Sequence, residues 1–101
     1  MTNAGITEVQ VTYWREIPSM VVARRGDEQA KVSLPQRFQE AIDEAAMRLG
    51  ESSADDYLAG WTRSGWEEYG QDPVDAAQHR SEALDNEWSQ ERLDAYLDSL
   101  G

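Results

Sequence analysis

The feature of this sequence that most constrains its fold is an alternating segment that ends in the block Tyr-Trp-Arg-Glu-Ile-Pro. Val9, Val11 and Tyr13 occupy every second position, with polar or aromatic residues between them. This period of two is typical of a β-strand that buries one face, so we predict a strand over residues 6–15. Pro18 then interrupts the strand pattern, because proline cannot donate a backbone hydrogen bond to a neighbouring strand.

Two further short strands are predicted after this proline. The apolar run that follows it predicts a second strand over residues 19–25, and the stretch Ala-Lys-Val-Ser-Leu predicts a third over residues 30–34. Gly26 marks the turn between these two strands. Connections this short favour antiparallel neighbours, so this part of the chain predicts a three-stranded antiparallel sheet.

The hydrophobic period changes to that of an α-helix at Pro35, a residue type that suits the first helical turn. An apolar stripe over residues 35–49 predicts an amphipathic helix that covers one face of the sheet. Three weaker helical patterns follow, with Ser53, Asp72 and Ser89 as their expected N-caps. These patterns cover residues 53–64, 73–88 and 89–100. The predicted fold class is therefore α+β, with three strands followed by three or four helices.

Length and charge indicate a single domain with an uneven surface. A chain of 101 residues is the size of one domain, in which we expect residues 1–5 to be flexible. Residues 1–50 contain six basic and seven acidic residues, whereas residues 51–101 contain three basic and thirteen acidic ones. Such a surface repels nucleic acids and anionic membranes, so we expect neither as a partner. We expect the acidic helical segment 71–101 to lie on the sheet, to extend from it or to pack on a partner.

The composition also bears on compartment and chemistry. The chain has no cysteine, which excludes disulfides and thiol nucleophiles, and its first residues lack the pattern of a signal peptide. We therefore expect a cytoplasmic protein. A soft metal site would need several His or Cys ligands, and His79 is the one histidine. No glycine-rich phosphate loop or Gly-x-Ser-x-Gly turn is present. These features favour a protein without catalytic residues, metal or cofactor of its own.

The aromatic residues at the end of the first strand are the best candidates for binding. Tyr13 and Trp14 lie on opposite faces of a strand, so at most one of them belongs to the core beneath the helices. The other lies on the second sheet face, where the C-terminal helices or a partner must cover it. Tyr, Trp, Met and Arg are enriched at interface hot spots. The candidate partner surface consists of Tyr13, Trp14, Arg15, Met20, Arg24 and Arg25.

Three short motifs in order resemble a small bacterial family known as the virulence factor family. They are Tyr-Trp-Arg-Glu-Ile-Pro at residues 13–18, Leu-Pro-Gln-Arg-Phe at residues 34–38, and Tyr-Leu-Ala-Gly-Trp at residues 57–61. The resemblance extends over about residues 6–70. It implies an accessory role near enzymes of one-carbon and corrinoid methyl transfer, and it carries over no catalytic residue.

We expect a non-catalytic accessory protein that binds a protein partner, such as an enzyme of one-carbon metabolism, through the aromatic sheet surface and the acidic helices. A homodimer is compatible with this expectation. In this interpretation, replacing Trp14 with Ala abolishes binding and leaves the fold nearly intact. One alternative is a small-molecule-handling component of a one-carbon or corrinoid methyl-transfer system, in which Arg24 and Arg25 contact a flat anionic cofactor. A second alternative is an acidic mimic of nucleic acid.

Overall fold

The protein is built on an antiparallel sheet to which a later part of the chain adds two unexpected short strands. The structure, a computed structural model, describes residues 5–50 and 53–100. Its elements in chain order are β1 (Thr7–Trp14), β2 (Ile17–Arg25), β3 (Glu28–Ser33), α1 (Gln36–Arg48), α2 (Ala54–Ala59), β4 (Trp61–Arg63), β5 (Glu67–Tyr69), α3 (Pro73–Glu87) and α4 (Gln90–Ser99). The predicted α+β class and the first three strands are confirmed. The predicted flexibility of residues 1–5 concerns residues that, apart from Gly5, lie outside the described ranges.

The sheet has five strands, with β3, β2 and β1 side by side and β4 and β5 both paired to the far edge of β1. Arg63 pairs with Thr12 and Glu67 pairs with Val9. Three residues, 64–66, therefore lie opposite two residues of β1, which makes a β-bulge with one extra residue. Ser64 holds this bulge on β1, because its Oγ accepts a hydrogen bond from the Val11 amide at 2.9 Å.

The helix predicted over residues 53–64 ends earlier than its apolar pattern suggested. Helix α2 stops at Ala59, and the chain then forms β4 from Trp61 to Arg63. An aromatic and a β-branched residue in this segment favour a strand. The edge of β1 also offers unpaired backbone groups that only an extended segment can satisfy. The sheet consequently has five strands where three were expected.

All three predicted N-caps form. The Ser53 Oγ accepts a hydrogen bond from the amide of Asp56 at 3.2 Å, the Asp72 carboxylate accepts one from Asp75 at 2.8 Å, and the Ser89 Oγ accepts one from Arg92 at 3.2 Å. Each cap satisfies an amide that the first helical turn would otherwise leave unpaired.

The acidic C-terminal segment folds back onto the sheet. Helix α3 packs on β1, β2 and β3, whereas α1 contacts β2 and packs against α4. Helix α1, which has the clearest apolar stripe in the sequence and was expected to cover the sheet, is therefore not its main cover. Arg37 joins the two helical parts, because its guanidinium binds both the carboxylate and the backbone carbonyl of Asp85. The core between helices and sheet includes Val9, Val11, Val21, Phe38, Ile42, Ala77, Leu84 and Leu93.

The hairpin between β1 and β2 has two irregular features. Arg15, the first residue of its turn, has φ 53°, a left-handed conformation that is uncommon for a residue with a side chain. The pairing also shifts by one residue, since Thr12 lies opposite Met20 and Tyr13 lies opposite Pro18. Such a shift bends the end of the hairpin relative to the rest of the sheet. Among the helices that the structure describes, none is long and apolar enough to cross a membrane.

Candidate functional site

Helix α3 and, to a smaller extent, α1 pack on one face of the sheet, whereas the part of the other face between β3 and the bulge after β4 carries none of the described helices. A shallow cavity of about 200 Å³ lies on this second face. All of its lining residues belong to strands or to the bulge after β4. They are Gln10, Thr12, Met20, Val22, Gln29, Lys31, Arg63 and Trp66. We call these residues, together with the neighbouring Arg24, the open sheet face.

Trp66 and Arg24 are in direct contact on the open sheet face. The guanidinium of Arg24 lies over the indole of Trp66, 3.7 Å from the ring centroid. Because β1 lies between β2 and the edge that carries Trp66, the indole must cross β1 to reach Arg24. The one-residue bulge at 64–66 provides the change of direction that this crossing needs. Glu8, opposite Arg24 on β1, holds the other side of the guanidinium at 3.3 Å.

The rest of the open sheet face is an apolar strip with cations beside it. Met20 and Val22 supply the strip, and Val22 is only 8 % exposed because the longer side chains around it shield it. Lys31 and Arg63 are both exposed. Within residues 5–50 and 53–100, neither has a carboxylate oxygen within 4.0 Å. Their charges thus face solvent and form no ion pair with the described residues.

Trp14, the aromatic residue that we expected on the partner surface, belongs to the core. Its side chain is 0 % exposed. The indole stacks on Tyr57 with a centroid distance of 5.7 Å, and its Nε1 donates a hydrogen bond to the carbonyl of Tyr57 at 2.7 Å. Helix α2 therefore supplies the cover that the sequence left undetermined for this residue. The expectation that Trp14 is an exposed anchor does not hold in this structure.

The structure divides the remaining predicted surface residues among different places. Met20 and Arg24 lie on the open sheet face. Tyr13 and Arg15 line a separate groove of about 460 Å³ against α3 and α4, which we call the hairpin groove. Arg25 forms an ion pair of 3.6 Å with Glu28 across the β2–β3 turn. Because consecutive residues of β2 point to opposite faces, Arg24 and Arg25 do not flank one flat ligand.

Seven residues of the open sheet face, among them Lys31, Arg63 and Trp66, were not among the predicted binding residues. A signal for Trp66 exists in the sequence, since Ser64 and Gly65 interrupt a stretch with strand-forming residues on both sides, as in a bulged edge strand. The position of Arg24 beneath the indole has no local signal, because the two residues are far apart in sequence.

In the part of the chain that the structure describes, no three His, Cys, Asp or Glu side chains are placed to hold a metal ion. His79 is exposed and touches the edge of the Tyr69 ring, with centroids 6.2 Å apart. Partial burial raises the pKa of Tyr96 above its ordinary value, and the nearby Glu16 carboxylate adds to this effect. A raised pKa makes this phenol a weaker acid.

The comparisons with known proteins agree with the three motifs noted in the sequence. The model of the family described as "Virulence factor" matches residues 12–97. This range contains the end of β1, strands β2 to β5 with the bulge that carries Trp66, helices α1 to α3 and most of α4. No curated protein and no solved structure matches the chain.

Proposed function

Because the chain belongs to the virulence factor family, whose description names no reaction, we propose a function from the structure itself: the protein is a non-catalytic accessory protein that binds a protein partner through its open sheet face. The observation that carries this proposal is the one-sided packing of the helices. A sheet in a soluble α+β protein usually buries an apolar face under its helices and keeps a polar second face. Here the second face retains Met20, Val22 and Trp66.

The chemistry of the open sheet face is that of an interface rather than a solvated surface. Tryptophan, methionine and arginine are the residue types over-represented where protein partners meet. Arg24 is already oriented by its stacking on Trp66 and by the Glu8 carboxylate. An arginine that is held in place before binding loses less conformational entropy when it meets a partner.

The charge distribution indicates the kind of partner surface. Lys31 and Arg63 are exposed beside the apolar strip, and Arg24 stacks on Trp66, which lines the same cavity. A partner segment with apolar side chains edged by carboxylates would match both properties. A nucleic acid is a poorer match, because the chain carries a net charge of −11 and residues 51–101 contain thirteen of its twenty acidic residues. The acidic helices keep this charge on the opposite side, where a basic part of the same partner could contact them.

The proposal is tested with two double variants that have the same net charge. Lys31→Gln with Arg63→Gln removes two positive charges from the open sheet face. Gln36→Glu with Gln78→Glu adds two negative charges at exposed helical positions. Each variant and the original protein are used as bait in the native host, and bound proteins are quantified by mass spectrometry. We expect at least one protein to be retained by the original and by the helical variant and to be lost from the sheet variant.

A second pair of variants tests whether the apolar strip contributes to partner binding. Met20→Asp places a charge in the apolar strip, whereas Met47→Asp makes the same change at a position of α1 that is 72 % exposed. The protein that the Lys31→Gln, Arg63→Gln variant fails to retain should also be lost from Met20→Asp, and Met47→Asp should retain it. If the original protein and all the variants retain the same set of proteins, the proposal is overturned. Equal, salt-sensitive capture of a DNA-binding protein by all of them also overturns it and supports nucleic-acid mimicry by the acidic helices.

A further inference from the structure

We propose that the hairpin groove is a second binding site, which takes a small organic anion with a flat apolar part. The groove lies between the tip of the β1–β2 hairpin and the corner where α3 meets α4, and its volume is about 460 Å³. This volume falls within the range of roughly 300–1,000 Å³ that is usual for small-molecule sites. The site is distinct from the open sheet face, since none of its lining residues is shared with that face.

The first argument is the convergence of positive charge. Arg15 from the hairpin turn, Arg80 from α3 and Arg92 from α4 all line this one groove. The chain has nine basic residues against twenty acidic ones, so three arginines in one groove is a strong local enrichment. Two carboxylates, Glu16 and Glu87, also line the groove and leave it with an excess of one positive charge.

The second argument is that Arg92, on α4, is oriented by stacking and has only a weak ion pair. The guanidinium of Arg92 lies over the indole of Trp88, 4.1 Å from the ring centroid. Stacking fixes the plane of a guanidinium and leaves its edge N–H groups for hydrogen bonds, which suits a carboxylate or a phosphate. Its ion pair with Glu87 is 3.5 Å long, and both side chains are about half exposed. An exposed pair of this kind contributes little free energy, so an incoming anion can replace the Glu87 carboxylate at small cost.

The third argument is the apolar wall of the groove. Such a wall favours a ligand that has an apolar part over a bare inorganic anion. Leu84 and Trp88 are almost fully buried and line the groove from the helical side, and Tyr13 lines it from β1. Tyr96 supports the indole of Trp88 from behind by an edge contact at 6.0 Å. Between Tyr13 and this wall there is space for a planar ring or a short acyl chain. The arginines would then hold the anionic group at the mouth of the groove.

The test uses three probes with one ring system: 1-naphthyl phosphate, 1-naphthoate and the neutral 1-naphthalenemethanol. Binding to the full chain is followed by ¹H–¹⁵N NMR, with the indole N–H of Trp88 as the local reporter. We expect the anionic probes to shift this signal and the neutral probe to bind at least about fivefold more weakly. A preference between the two anions tells whether the site prefers a phosphate monoester or a carboxylate.

Variants then locate the site. Arg80→Ala and Arg92→Ala should each weaken binding of the anionic probes by about tenfold, since each removes a hydrogen bond to a charged group. Arg63→Ala, which removes an exposed arginine from the open sheet face, is the matched control and should leave the affinity unchanged. Equal binding of the neutral probe, or full affinity in both groove variants, overturns the proposal. Because the open sheet face is untouched by the groove variants, failure here leaves the protein-binding proposal separately testable.

Discussion

The indole of Trp14 occupies the space that a side chain at Gly60 would need. A Cβ built at Gly60 would lie 2.5 Å from Nε1 and 2.6 Å from Cε2 of Trp14. Gly60 has φ −77°, so this position requires glycine for space rather than for backbone conformation. The carbonyl of Gly60 also accepts a hydrogen bond from the Arg15 amide at 2.8 Å. The end of α2 is therefore fastened directly to the tip of the β1–β2 hairpin.

Gly60→Ala should lower the free energy of unfolding by about 1–3 kcal/mol, the usual cost of forcing extra atoms into a packed core. Gly65→Ala is the matched control, because nothing lies within 4 Å of a Cβ at that position. We expect the control to change stability by less than about 0.5 kcal/mol. Urea unfolding followed by circular dichroism measures both variants. Equal stability of the two variants would contradict the close contact between Gly60 and Trp14.

Trp14→Ala should unfold or severely weaken the protein. The side chain is 0 % exposed and its Nε1 donates to the carbonyl of Tyr57, so the change leaves a cavity and removes this hydrogen bond. We expect a loss of about 3–5 kcal/mol in the free energy of unfolding. This replaces the sequence-based expectation of a folded variant that only loses its partner.

The partly exposed Trp66 provides the comparison for this prediction. Trp66→Ala removes a stacking contact with Arg24 rather than a core side chain. The expected loss is about 1 kcal/mol, typical of a cation–π contact near the surface. Thermal unfolding with intrinsic fluorescence distinguishes the two variants. A Trp14→Ala protein as stable as Trp66→Ala would show that Trp14 is not a core residue.

The turn residue Arg15 stores backbone strain, which two substitutions can separate from its side-chain contacts. Arg15→Ala and Arg15→Gly both remove the guanidinium, which lies 5.5 Å from the Trp14 ring centroid. Only glycine adopts φ 53° without steric cost. We expect the glycine variant to be more stable than the alanine variant by roughly 1 kcal/mol. A thermal melt in which alanine equals or exceeds glycine would show that the turn is not strained.

Stability should fall at high pH through Tyr96. Burial raises the pKa of this phenol above its ordinary value of 10.0, and the Glu16 carboxylate adds to the shift. Above that value the unfolded chain releases the proton while the folded protein retains it, so the folded state loses stability as pH rises through the folded pKa. Tyr96→Phe should therefore flatten the decline of stability above pH 10.0. Urea unfolding of both proteins between neutral and strongly alkaline pH measures the difference, and parallel curves would refute it.

The pattern of the sequence predicted local structure well where neighbouring residues decide it. The first three strands and the N-caps at Ser53, Asp72 and Ser89 formed as expected because strand alternation and capping depend on residues a few positions apart. The C-terminal end of α2 was misjudged because the competing interaction is distant. Residues 61–63 gain backbone hydrogen bonds from the edge of β1. Helical propensity depends on local sequence and does not include that gain.

The candidate sites were only partly predictable for the same reason. Met20 and Arg24 were identified as binding residues, and they lie on the open sheet face. Lys31 and Arg63 became candidates only when the register placed them beside Met20 and Trp66. The hairpin groove likewise brings together Arg15, Arg80 and Arg92, which are distributed over most of the chain.

By itself, then, the sequence determined the α+β class, the first hairpin, the starts of the helices and membership of the family, because periodicity, capping and short motifs are local properties. It also predicted that Tyr13 and Trp14 point to opposite faces of β1. Only the tertiary structure decided that Trp14 is covered by α2 and that the second sheet face is open. Those outcomes depend on which distant segments supply cover and on whether their packing offsets the entropy of closing long loops. Alternation along one strand carries no information about that balance.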